Sequence, residues 1–283
     1  MTAATLEPPL GAANAAPSGE EYFLRLTDVG KRFGAVTALE GVSLDVRRAE
    51  VLALLGDNGA GKTTLVKVIS GVHQPSSGEI RCTGELTRIA SPDKAHEIGI
   101  ETVFQDLALV PNLPVADNFF IGREITWDIV PGMIRILRKR EMERDAAETL
   151  KQLDIHIPSL RVNVDMLSGG QRQAIAIARA IRWKANLVIL DEPTAALSVP
   201  EQNKVLELAR RLASQGVAVI YITHNMDDVM RVSDRIAVLY RGRLAGQLMT
   251  SETSPDEIVG VIMSGKPPQR LEMSAGAVGG PQR

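Results

Sequence analysis

The stretch that decides the fold is Val51-Leu52-Ala53-Leu54-Leu55-Gly56-Asp57-Asn58-Gly59-Ala60-Gly61-Lys62-Thr63. Five apolar residues, a pattern typical of a buried parallel strand, lead directly into a match to G-x-x-x-x-G-K-[ST]. Glycines let the backbone curl so that successive N–H groups point at phosphate oxygens, and the N-terminus of the following helix adds partial positive charge. The alternative is a glycine-rich turn without a ligand. The preceding strand and the Lys-Thr pair favour a phosphate site.

Each residue of such a site has an expected role. Lys62 reaches the β- and γ-phosphates of a nucleotide, and the hydroxyl of Thr63 binds Mg²⁺. The predicted binding segment consists of Gly56, Asp57, Asn58, Gly59, Ala60, Gly61, Lys62, Thr63 and Thr64.

A second strand supplies the acidic residues that a phosphate site of this kind needs. Leu187-Val188-Ile189-Leu190 is a buried strand, and Asp191 and Glu192 follow at its carboxyl end, where ligands of open α/β sheets bind. We expect Asp191 to hold Mg²⁺ through water and Glu192 to act as the general base for the attacking water. Two acids after a strand could instead cap a helix. Pro193 and the upstream glycine-rich motif favour the catalytic interpretation.

The pattern between the two ends of the chain is mixed α/β. Alternating strands and helices predict a mostly parallel sheet covered on both faces. Predicted strands are 22–26, 42–46, 51–55, 100–104, 187–190 and 217–223, with a hairpin of 236–240 and 243–248 joined by Arg241-Gly242. Predicted helices are 63–70, 141–153, 171–182 and 200–213.

Three segments differ from this core pattern. Residues 107–167 show helix-prone sequence and little strand signal, which predicts a helical subdomain inserted into one domain of residues 21–264. Its basic residues Arg135, Arg138, Lys139 and Arg140 are expected to form a solvated face. Residues 1–20 and 265–283 are predicted to be disordered tails.

Composition narrows the class of protein. The chain has 283 residues and a formal net charge of −2, which does not favour a nucleic-acid partner. The single cysteine, Cys82, is expected to be a small buried hydrophobe in a strand. No stretch approaches the ~20 apolar residues of a membrane-spanning helix, so we expect that the chain does not itself cross a membrane.

One further segment separates this chain from other phosphate-loop proteins. Leu167-Ser168-Gly169-Gly170-Gln171, called here the signature segment, precedes an apolar-striped helix. Ser168 suits the N-cap position, and the two glycines let an anion approach the first N–H groups of that helix. Two anion sites far apart in sequence suggest that each chain completes its neighbour's nucleotide site. The five residues alone could equally form a capped helix with a glycine turn.

With these motifs in order, residues 22–263 resemble the ATP-binding subunits of ABC transporters. The resemblance implies a P-loop NTPase core of the ABC ATPase type, with an N-terminal antiparallel β part and the inserted helical subdomain. It implies that Gln105 binds Mg²⁺ and water and signals to the membrane subunits, that His224 contacts the γ-phosphate, and that Phe33 stacks on adenine. Phe33 stands where tyrosine is common, which preserves stacking. Ser198 stands where many relatives have aspartate, in a loop that crosses the dimer interface.

The resemblance also implies a mechanism and partners. Two ATP-binding subunits, either identical or similar, close head to tail around two ATP molecules with Mg²⁺, and hydrolysis reopens them. The partners are ABC permease membrane subunits and, indirectly, a substrate-binding protein, at the cytoplasmic face of a bacterial inner membrane. The segments 56–62, 101–105, 116–118, 122–124 and 193–198 resemble those of monosaccharide importers of the fructose and ribose type.

Three alternatives remain at this point. A soluble ABC ATPase acting on ribosomes or DNA is disfavoured, because the chain has one ATPase cassette and no basic excess. An importer subunit for a non-sugar cargo fits the same motifs. A nucleotide switch without turnover conflicts with the presence of both Glu192 and His224.

Overall fold

The computed structural model describes residues 22–130, 134–182, 185–195 and 197–267. The predicted tail at 1–20 and most of the second predicted tail lie outside the described residues. The second tail was predicted to begin at Gly265, which is wrong for its first residues. Gly265 ends a helix with φ +68 and packs against the ring of Tyr240, and the described chain continues to Pro267 beside Gly246.

A six-stranded sheet forms the centre of the molecule. Its strand order is β12-β11-β3-β10-β9-β6, in which only the edge strand β12 pairs in the antiparallel sense. The strands are β3 (Val51–Leu55), β6 (Ile100–Val103), β9 (Leu187–Asp191), β10 (Ala218–Ile222), β11 (Arg235–Tyr240) and β12 (Arg243–Met249). The predicted mostly parallel sheet and the hairpin at its edge are confirmed.

A second sheet is antiparallel and lies at the N-terminal side of the chain. Its order is β2-β1-β4-β5. The strands are β1 (Tyr22–Phe33), β2 (Val36–Arg47), β4 (Ser77–Cys82) and β5 (Glu85–Leu86). β1 and β2 are much longer than predicted, because their irregular pairing interrupts the alternation of apolar and polar residues on which the prediction relied. Cys82 is buried in β4 as predicted, and burial raises the pKa of its thiol to about 11.

Helices cover both faces of the central sheet. In β9, Val188 and Leu190 pack with helices of one side, whereas Leu187 and Ile189 pack with β1, β2 and the first helix on the other side. The helices of the described residues are α1 (Lys62–Ile69), α2 (Pro92–Ile98), α3 (Val115–Phe119), α4 (Lys139–Gln152), α5 (Gly169–Arg182), α6 (Val199–Ser214), α7 (Met226–Val232) and α8 (Pro255–Ser264). Within the part of the chain that the structure describes, no helix has the length and apolar character needed to cross a bilayer.

The segment 107–167 is not purely helical. It contains α3 and α4 as expected, but also an antiparallel hairpin of β7 (Thr126–Val130) and β8 (Ile134–Leu137), which corrects the prediction of little strand there. Within the described residues these strands pair only with each other. Because the two strands are only five and four residues long, the period-two pattern was too short to recognise. The four basic residues that follow or lie in β8 are exposed, as expected for a solvated face.

One buried ion pair connects the two sheets. Arg235 of β11 donates from Nη1 to both carboxylate oxygens of Glu50, at 2.9 and 3.1 Å, and both side chains are about a tenth exposed or less. The same guanidinium donates to the backbone carbonyl of Asp45 at the end of β2 (3.4 Å) and to Gln247 of β12 (2.5 Å). A buried charge without its partner is strongly destabilising.

We therefore expect Arg235→Met to lower the free energy of unfolding by about 3 kcal/mol or more, because it leaves Glu50 buried and unpaired. The matched control is Arg243→Met in the neighbouring strand. Arg243 pairs with Glu40 at 2.6 Å, but both side chains are more than half exposed, so the loss should stay below about 1 kcal/mol. Urea denaturation followed by circular dichroism measures both values, and equal losses would contradict a structural role for the buried pair.

Candidate active site

Four predicted functional segments meet at the carboxyl ends of the strands in the central sheet. β3, β10, β9 and β6 are adjacent and parallel, so their carboxyl ends lie side by side. Neighbouring strands are ~4.8 Å apart, which places the first and last of the four within about 15 Å. The residues that follow these strands are Gly56 after β3, His224 after β10, Asp191 and Glu192 at the end of β9, and Gln105 after β6.

The loop 56–61, called here the phosphate loop, has a backbone that depends on glycine. Gly56 has φ +148, and a Cβ there would lie 2.4 Å from the carbonyl oxygen of Leu239. Gly61 has φ +105, and a Cβ there would meet the Leu39 side chain at 2.9 Å. No side chain caps the N-terminus of α1, which begins at Lys62. The first N–H groups of this helix are therefore available to an anion.

Lys62 places positive charge at the centre of the phosphate loop. Its Nζ donates to the backbone carbonyls of Gly56 at 2.6 Å and Asp57 at 3.1 Å. The same charge acts on Asp191. Burial raises the pKa of Asp191 and the neighbouring charge of Glu192 raises it further, while Lys62 lowers it. The phosphate loop and the end of β9 thus share one electrostatic environment.

Glu192, the predicted general base, directly follows β9 and is largely buried. Its side chain is 19% exposed, and its Oε2 lies 2.9 Å from Nδ1 of His224, which is 84% exposed. That contact is not aligned as a hydrogen bond, so the buried Oε2 has no hydrogen-bond donor among the described residues. Glu192 also has φ +51, a conformation that is rare outside glycine and is concentrated at functional sites. An unsatisfied buried acceptor is costly unless a ligand or water completes it.

Three buried polar side chains form hydrogen bonds near the segment that follows Glu192, and the sequence alone did not identify them as functional. Thr194 donates from Oγ1 to Asp228 Oδ2 at 2.6 Å, and the hydroxyl of Tyr221 donates to Thr194 at 3.5 Å. All three side chains are at most 4% exposed. Burial raises the pKa of Tyr221, so it remains a neutral donor. These bonds fix the segment that follows Glu192 to β10 and α7. The only signal in the sequence was polar residues within otherwise apolar stretches.

Gln105 lies on an exposed turn. Arg179, which was not identified from the sequence, holds that turn in place. Arg179 of α5 donates to the carbonyl oxygens of Leu107 at 3.0 Å and Ala108 at 2.8 Å. Burial lowers the pKa of Arg179. Asn118, fully buried, binds the following loop through the backbone of Val110, Leu113 and Pro114. Gln105 therefore sits at the start of a firmly braced loop.

Phe33 and the signature segment lie away from the strand ends. Phe33, at the end of β1, is 43% exposed and contacts the edge of the His73 ring at 5.1 Å. In the signature segment, Leu167 is buried, and Ser168 and Gln171 cap the first turn of α5 reciprocally, at 3.2 and 3.1 Å. Among the described residues, no hydrogen bond or ion pair joins this segment to 56–64. One chain alone does not bring its two predicted anion sites together.

The donor set at the strand ends fits ATP with Mg²⁺. The phosphate loop offers backbone N–H groups and one ammonium, which suit phosphates. Thr63, Asp191 and Gln105 offer oxygen ligands, which Mg²⁺ prefers. Among the described residues no three His, Cys, Asp or Glu side chains cluster as a dedicated metal site.

Comparison with known proteins agrees with this geometry. The family model described as "ABC transporter" matches residues 39–195. A xylose/arabinose import ATP-binding protein of Sulfolobus acidocaldarius is 48% identical over 85% of this chain and 94% of its own length. A fructose import ATP-binding protein of Rhizobium meliloti is 41% identical over 90% of this chain and 99% of its own length.

A solved structure shows the same fold in a nucleotide-bound dimer. The ATP-binding cassette MJ0796, described as dimeric in a post-hydrolysis state bound to ADP and Pi, superposes with a TM-score of 0.66 at 26% identity. The alignment covers 80% of this chain and 98% of that one. The family match contains the phosphate loop, the signature segment and the end of β9. This chain belongs to the ABC transporter family, as one of its ATP-binding and ATP-hydrolysing cassettes.

Proposed function

We propose that this chain powers the import of a monosaccharide as the ATPase subunit of an ABC importer. Two cassettes close around ATP and drive separate permease subunits at the cytoplasmic face of the membrane. The proposal of ATP hydrolysis rests on one observation: the phosphate loop, Glu192 and His224 lie side by side at the carboxyl ends of neighbouring parallel strands. The two import ATP-binding proteins, which match nearly end to end, support the cargo.

Hydrolysis follows from the positions of the side chains. N–H groups of residues 56–64 and the ammonium of Lys62 bind the phosphates. Oε2 of Glu192, which lacks a donor, accepts a hydrogen bond from water and takes its proton as the water attacks the γ-phosphate. His224, in contact with the same carboxylate, contacts the γ-phosphate. Thr63, Asp191 and Gln105 are the proposed Mg²⁺ ligands, and the bound cation neutralises charge on the phosphate oxygens.

Closure of two chains completes each site. The proposed arrangement places Leu167, Ser168, Gly169, Gly170 and Gln171 of one chain against the γ-phosphate held by the other, while Phe33 stacks on adenine. Two observations support it. Among the described residues, the N-terminus of α5 makes no hydrogen bond to the phosphate loop of its own chain. The dimeric MJ0796 cassette shows that this fold associates in the presence of nucleotide products.

We expect Glu192→Gln to lower the rate of ATP hydrolysis at least ~100-fold, because the amide cannot accept the proton of the attacking water. ATP-dependent dimerisation should persist, since the phosphate contacts are unchanged. Phosphate release and size-exclusion chromatography with ATP measure the two properties. Lys62→Ala is the contrasting variant and should lose both. Rapid turnover by Glu192→Gln would contradict the role of Glu192.

A cleft beside Gln105 is the proposed permease contact. It has a volume of about 290 Å³ and lies between α2, β6, α5 and the segment after α3. Phe104 and Ile121 contribute apolar wall, and Glu101 lies at its base, 6% exposed and 2.8 Å from Nδ1 of His96. An apolar wall of this kind suits the apolar face of a short amphipathic helix. Because Arg179 lines the cleft and holds residues 107–108, movement in the cleft reaches the loop that begins with Gln105.

We expect Ile121→Asp to abolish co-purification with a polytopic membrane protein from detergent-solubilised membranes of the host. A carboxylate in the apolar wall must be desolvated when the permease inserts. ATP hydrolysis by the isolated chain should be unchanged. Val259→Asp on α8 is the control, because Val259 is similarly exposed, at 46% against 40% for Ile121, but lies outside the cleft. Equal recovery of the membrane protein by both variants would place the contact elsewhere.

The cargo is tested by uptake in the host. A strain lacking this chain should lose accumulation of one labelled monosaccharide among xylose, arabinose, fructose and ribose, and expression of the chain should restore it. Expression of Glu192→Gln should not restore it. Unchanged uptake of all four sugars, with loss of amino-acid uptake instead, would keep the ATPase and reject the sugar. Recovery of ribosomes or DNA-repair proteins with the tagged chain, without a permease, would reject transport.

A further inference from the structure

The carboxylate of Glu201 joins the signature segment to α6. Its Oε1 accepts hydrogen bonds from Ser168 Oγ at 2.8 Å and from the backbone N–H of Gly170 at 3.1 Å. Its Oε2 accepts from the N–H of Ser198 at 3.1 Å and from the Ser198 hydroxyl at 2.8 Å. One side chain thus caps its own helix and also occupies donors at the N-terminus of α5.

The packing around Glu201 is close. A Cβ on Gly170 would lie 2.7 Å from Cγ of Glu201, so glycine at this position leaves room for that side chain as well as for an anion. Hydrogen bonds from Ser198 and Ser168 lower the pKa of Glu201 to about 2, so the group is ionised at neutral pH. The chain therefore carries its own anion at the signature segment.

We propose that Glu201 is a competitor of the γ-phosphate, a positioning residue that occupies the Ser168 and Gly170 donors until ATP bound to the second chain displaces it. The inference rests on the proposed function, in which the signature segment binds that phosphate. A carboxylate and a phosphate cannot share the same two donors, because like charges at this distance repel. Closure of the dimer therefore requires Oε1 to release them, and Glu201 raises the ATP concentration at which closure occurs.

Ser198 makes the exchange feasible. Its two bonds to Oε2 keep the carboxylate at the start of α6 after Oε1 has turned away. A carboxylate at 198 would repel Glu201, whereas a hydroxyl donates to it.

The test titrates ATP against full-length chains in which hydrolysis is blocked by Glu192→Gln. Analytical ultracentrifugation measures the fraction of dimer in this parent and after adding Glu201→Gln. The amide keeps the shape of the side chain, but neutral hydrogen bonds are about half as strong as charge-assisted ones. We expect the ATP concentration at half-dimerisation to fall about fivefold to tenfold.

Glu257→Gln, added to the same parent, is the matched control. Glu257 occupies the equivalent capping position of α8, where its Oε2 accepts from the N–H of Ser254 at 3.2 Å, and it lies on a different helix from the signature segment and from Glu201. Its midpoint should equal that of the parent, and thermal unfolding should show that each variant is folded. Binding of a fluorescent ATP analogue to each monomer should be equal.

The outcomes distinguish failure of the proposed competition by Glu201 from failure of the proposed two-chain mechanism. A parent that dimerises with ATP, but whose midpoint does not move or rises with Glu201→Gln, overturns the competition. A rise would mean that Glu201 supports the signature segment in the closed state. A parent that does not dimerise at any ATP concentration rejects the proposed two-chain mechanism and, with it, the role of Glu201.

Discussion

The parallel ladder of β3, β10, β9 and β6 is the constraint on which the active site depends. Strand pairing in one direction places the carboxyl ends of four strands in a row, and each end carries a different part of the chemistry. Gly56 follows one strand, His224 the next, Glu192 the third and Gln105 the last. The antiparallel sheet packs on one face of the central sheet and against the phosphate loop. A side chain at position 61 would meet Leu39 of β2 there. The fold thus fixes distances that sequence separation alone would leave free.

Polar groups at the strand ends are incompletely paired, whereas the hydroxyl of Ser168 and the N–H of Gly170 in the signature segment already donate to a carboxylate. Among the residues that the structure describes, Lys62 donates to two backbone carbonyls, Asp191 has a raised pKa, and one buried oxygen of Glu192 has no hydrogen-bond donor. These groups are arranged for a ligand that brings anionic oxygens and water. At the other predicted anion site the chain supplies an anion itself, through Glu201. The two parts of the proposed dimer site therefore differ. At the signature segment ATP must displace the carboxylate of Glu201, whereas at the strand ends no such anion occupies the phosphate loop among the described residues.

The parts predicted from sequence are those whose signal is local. The phosphate loop and the Asp191-Glu192 pair each lie within one strand-to-loop segment, so motif and period identify them. The contacts of Arg179 and Glu201 span 71 and 31 residues, respectively, and depend on how α5 packs, which no local pattern encodes. The hairpin of β7 and β8 was missed for a different reason: its strands are short and pair only with each other among the described residues. Local chemistry was accessible, and tertiary positioning was not.

Helix α5 connects the features that a transporter ATPase must coordinate. Its N-terminus carries Gly169 and Gly170, while Arg179 near its other end holds the loop after Gln105 and lines the cleft. A helix of this length, 14 residues, spans about 21 Å. Its buried stripe packs against β6, α3 and α6, so a displacement of α5 also displaces side chains of those elements. Under the proposed mechanism, an anion exchanged at one end of α5 and a permease segment seated near the other act on the same rigid body. That gives a physical route from ATP binding to the membrane subunits without a chain of small side-chain adjustments.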